Sequence, residues 1–121
     1  MLQILGQTEG NVIATKAIEK LTKSDYAVLL PVLINRLQTY EKIRWYFEME
    51  NFQGWELKAF WQDVKFDVQH ANDFEKIAMV GDKKWQEWMA DLMKPFTNAE
   101  IEFFELKDRE KAFEWIKKAI E

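Results

Sequence analysis

The residue types that most often carry chemistry are scarce in this chain. His70 is the one histidine, placed near the end of a predicted helix. A lone imidazole lacks the second nitrogen ligand of a typical zinc site, so a surface or capping role is expected of it. Ser24 is the one serine, and its place at the start of a predicted helix suits capping better than nucleophilic attack. Cysteine is absent, which removes disulfides, thiolate metal sites and cysteine nucleophiles. Carboxylates abound, among them Glu48, Glu50, Asp63, Asp67, Asp73 and Asp82. A pair of them in a cleft could divide acid and base roles, but abundance alone selects no pair. Gly6, Gly10, Gly54 and Gly81 are scattered at turns, and neither GxGxxG nor GxxxxGK occurs, so nucleotide binding by those routes is excluded. The expectation is no catalytic residue, no metal site, no cofactor and no enzymatic activity.

Apolar side chains exceed what catalysis or capping needs. Six tryptophans and nine phenylalanines occur in 121 residues. Trp55, Trp61, Trp85, Trp88, Met89 and Met93 could line an apolar ligand pocket between helices, or fill a core instead. Val28 and Val32, and on a later helix Phe66 with His70 flanking it, are read as lying off the inward-facing stripes. They form a candidate interaction surface for a protein partner or a second copy of the chain.

The elements that must position these residues follow from the hydrophobic pattern. Met1 to Leu5 and Asn11 to Lys20, separated by turn residues, predict an opening hairpin. Thr22 and Asp25 have the spacing of a capping-box start, and Tyr26, Leu29, Leu30, Leu33 and Leu37 form the inward stripe of a helix to about Thr39. Pro31 is expected to kink that helix. Ile43 to Met49 reads as a central strand, and Glu50 to Trp55 as a loop into a helix ending near His70, with Leu57, Phe60, Trp61, Val64 and Val68 on one face. Lys76 to Val80 predicts a strand, followed by a helix with Trp85, Trp88, Met89 and Leu92, ended by Pro95. Ile101 to Phe104 predicts the last strand, and a final helix from Asp108 turns Ala112, Phe113, Ile116, Ala119 and Ile120 inward. The order is β-β-α-β-α-β-α-β-α. It implies an α/β fold, a mixed and mainly parallel sheet of about five strands with four helices, in which Phe60, Trp61, Trp85 and Met89 pack on the sheet.

Length and composition agree with one domain over residues 1–121. Apolar residues make up 48% and charged residues 31% of the chain, a globular mixture. The net charge of -4 opposes attraction to phosphate backbones, so nucleic acid is not an expected partner. No run of about eighteen apolar residues occurs, so integral membrane association is not expected, and a cytoplasmic location is the default. A two-fold homodimer through the off-stripe residues is the expected assembly, with an unknown protein partner the other possibility.

Gly10-Asn11-Val12-Ile13-Ala14, Leu21-Thr22-Lys23-Ser24-Asp25-Tyr26, Leu30-Pro31, Lys42-Ile43-Arg44 and the run from Phe74 to Trp85 together resemble the SpoIIAA-like family. That family is related in fold to STAS domains and to CRAL-TRIO lipid-binding domains. The resemblance covers nearly the whole chain and implies a non-enzymatic interaction or regulatory module, with binding of a small apolar ligand as the alternative. STAS-type anti-sigma-factor antagonists are phosphorylated on a serine at the start of the helix after the third strand. The comparable stretch here is Asn51-Phe52-Gln53-Gly54, where Gln53 replaces the phosphorylatable serine and only the glycine matches. The phosphoswitch therefore does not carry over.

Overall fold

In the computed structural model, which describes residues 1–55, 74–82 and 99–118, the chain opens as the expected hairpin. β1 (Leu2–Ile4) runs antiparallel to β2 (Val12–Leu21), with Gln3 opposite Lys16. Gly10, with φ at 58°, turns the chain in the left-handed region that glycine enters without steric cost. Its carbonyl accepts a 2.9 Å bond from the Arg36 guanidinium, which ties the turn to the helix that follows.

That helix, α1 (Lys23–Thr39), begins at Thr22. The Asp25 carboxylate accepts the Thr22 backbone N–H at 2.8 Å, the local capping geometry that the spacing predicted. α1 continues through Pro31 as one element. β3 (Ile43–Trp55), β4 (Phe74–Gly81) and β5 (Glu100–Glu105) follow, and a 3-10 turn (Leu106–Asp108) leads into α2 (Arg109–Lys117). The five strands form one sheet in the order β1-β2-β3-β4-β5. The sheet is mixed: β1 is antiparallel to β2, whereas β2–β3, β3–β4 and β4–β5 are parallel.

Three expectations need correction or restriction. The described residues contain two α-helices rather than four; the helices expected from Leu57 to His70 and through Trp85 to Leu92 lie outside them. With them go the expected packing of Phe60, Trp61, Trp85 and Met89 and the inward turn of Ala119 and Ile120. The stretch Glu50 to Trp55 is not a loop but the second half of β3. The reason is a partner: β2 extends beside it, and after a register shift Lys20 pairs with Gly54 and Leu21 with Trp55. Backbone groups beside an available strand satisfy their hydrogen bonds on it. Glu19 and Asn51, at φ 61° and 47°, absorb the irregularity.

Strand alternation sends successive side chains to opposite faces of the sheet, and each face has its own core. On the α1 face Ile13, Ala17, Ile43, Trp45, Phe47, Met49, Ile77 and Met79 pack with Leu29 of the helix. Trp45 and Phe47 meet edge-on at 5.1 Å. The buried Trp45 indole N–H donates to Thr15 Oγ1 at 2.9 Å, so its own polar tip is paired. On the other face Val12, Ala14, Tyr46, Ala78 and Val80 pack with Ala112 and Ile116 of α2.

Candidate functional site

β3 carries Arg44, Tyr46 and Glu48 at two-residue spacing on its α2 face, between the apolar residues it sends the other way. A charge in a central strand needs a partner, because burying an isolated ion costs several kcal/mol. Glu48 is 2% exposed. Its Oε1 accepts the Tyr46 hydroxyl at 2.6 Å and lies 3.6 Å from the Arg109 guanidinium at the start of α2. Its Oε2 lies 3.7 Å from Lys16 Nζ, which also pairs with Glu50 at 3.2 Å. Lys16 and Glu48 are register partners across β2 and β3, so the pairing of strands itself sets this contact. The Tyr46 ring stacks on Phe113 of α2 with centroids 3.9 Å apart. Burial, reinforced by the bond to Glu48, pushes the Tyr46 phenol far above its ordinary range and keeps it a proton donor.

At the other end of α2 the charge is reversed. Arg44 donates to the carbonyls of Ile116 at 2.9 Å and Lys118 at 2.7 Å, and also pairs with Glu75 at 2.7 Å. Lys76 donates to the carbonyls of Trp115 at 3.0 Å and Lys118 at 2.8 Å and sits 4.7 Å from the Trp115 ring centre. Burial, with the nearby Arg44 charge, lowers the Lys76 pKa. Cations thus meet the negative end of α2, and the buried carboxylate lies towards its positive end, as the helix dipole favours. Among the described residues, the ionisable groups buried on this face, Glu48 and Lys76, pair inside the fold. Among the described residues no group of three or more His, Cys, Asp or Glu is placed to hold a metal ion.

α1 presents a different surface. Its solvent-facing positions include Ala27, Val28, Pro31, Ile34, Asn35 and Gln38, none of them charged. Val28 is 53% and Ile34 50% exposed. The large hydrophobic side chains exposed among the described residues, Met1, Ile4, Val28, Ile34 and Tyr40, all belong to the first forty residues, on β1, α1 and their ends.

The sequence-derived sites fare unequally. Val28 stands in solvent as expected. Val32 does not: it packs, partly buried, against the α1-face core with Leu33 and Leu37, because three residues beyond Leu29 is the same side of a helix. Phe66 and His70 lie outside the described residues, as do Trp61, Trp85, Trp88, Met89 and Met93. Trp55 belongs to the end of β3. Asn51 to Gly54, the counterpart of the phosphorylation motif, also lies inside β3. The Glu48 network was missed, although Glu48 and Glu50 stood among the carboxylates. The available signal was a glutamate flanked by Phe47 and Met49 in a run already read as a central strand.

Among the described residues no helix is long and apolar enough to cross a membrane. No curated protein matches the sequence. The fold is similar to the crystal structure of an uncharacterised protein of the DUF3478 family from Shewanella loihica, which has a SpoIIAA-like fold. The two share 29% identity and superpose with a TM-score of 0.75 over 95% of this chain and 93% of that one. The SpoIIAA-like family profile matches residues 12–117, nearly the whole sheet together with both described helices. With that match and that shared architecture, the chain belongs to the SpoIIAA-like family.

Proposed function

We propose that this chain is a non-enzymatic protein-interaction module that acts through the solvent face of α1 and assembles as a homodimer. The observation that carries the reading is the contrast between its two helical faces. Under α2, Glu48, Arg44 and Lys76 are each spent on internal partners, which suits a structural role. The exposed positions described on α1 from Ala27 to Gln38 are uncharged and partly apolar, in a chain of which 31% is charged. An apolar strip in water is a liability unless something covers it. Gln53 in place of a phosphorylatable serine supports a module that is not switched by that modification.

Native mass spectrometry of the freshly purified chain tests this. A protein complex is expected that the Val28→Glu variant loses while keeping its thermal stability. Bare monomer from both proteins overturns the reading, and a retained small molecule in place of a protein favours the apolar-ligand alternative.

A further inference from the structure

We draw no further inference here: the strongest candidate, the exposed apolar strip of α1 around Val28 and Ile34, carries nothing beyond the interaction surface already proposed, because nothing in the structure shows what covers it.

Discussion

Tyr46 and Glu48 show what a single buried hydroxyl does for its neighbour. Among the described residues the carboxylate has one short bond, from Tyr46, and two cations at 3.6 and 3.7 Å, so the phenol is its closest donor there. Tyr46→Phe keeps the stacking on Phe113 and removes only that bond, and is expected to destabilise the fold by about 1–3 kcal/mol, the cost of a buried acceptor left short of a donor. The sign of its pH dependence follows from the raised pKa. The folded phenol holds its proton where an unfolded one, with its ordinary value of 10.0, loses it. Stability from Tyr46 is therefore complete below pH 10 and falls above it, by up to about 1.4 kcal/mol per pH unit. Urea unfolding from pH 8 to pH 11 should show the gap between wild type and Tyr46→Phe closing above pH 10. A gap independent of pH would mean that the phenol is not the donor. Phe47, fully within the other core, offers a contrast: Phe47→Ala should cost about 3–5 kcal/mol at every pH, since the phenyl ring carries no titrating group.

The two described helices are anchored by opposite logics, and this difference decided what could be read in advance. The start of α1 is secured by Thr22 and Asp25, three residues apart, which is why it was visible in sequence. Partial burial works against ionisation of Asp25, but the bonds from Thr22 and the nearby Met1 ammonium outweigh it and hold the carboxyl below its usual range. The end of α2 is secured by Arg44 and Lys76, which reach it from β3 and β4 across 72 and 39 residues of sequence. No local spacing encodes that. The strands were legible because apolar runs have short-range signatures; the length of β3 was not, because its second half is held by β2. Hydrogen exchange separates the two anchors. Asp25→Asn should fray the first turn of α1 and loosen the start of β1, which Asp25 also holds, at roughly 0.5–2 kcal/mol for a weakened cap. Lys76→Met should expose the last turn of α2 and leave α1 protected. Loss of protection in both helices from either change would show that they fold as one cooperative unit.

At the scale of the whole molecule the governing quantity is the net charge of -4 set against the uncharged exposed positions of α1 from Ala27 to Gln38. Val28 could be placed in solvent from the sequence, and Val32 could have been excluded, since its offset from Leu29 puts it on the core side. What the sequence could not show was where the neighbouring charges go, since Asp25 turns to β1 and Arg36 to the Gly10 turn through contacts far apart in the chain. The uncharged positions make association respond to salt in a defined direction. Two copies repel through their net charge at long range, and the contact proposed through Val28 and Ile34 uses no ion pair that salt would weaken. Raising ionic strength from 0.01 M to 1 M shortens the screening length from about 30 Å to about 3 Å, removing the repulsion while strengthening apolar contact little. The dimer dissociation constant measured by sedimentation is therefore expected to fall as salt rises and level off once screening is complete. An interface built on Lys–Glu pairs would do the reverse and dissociate. A dissociation constant that rises with salt would locate the contact on the charged faces of the chain and away from α1.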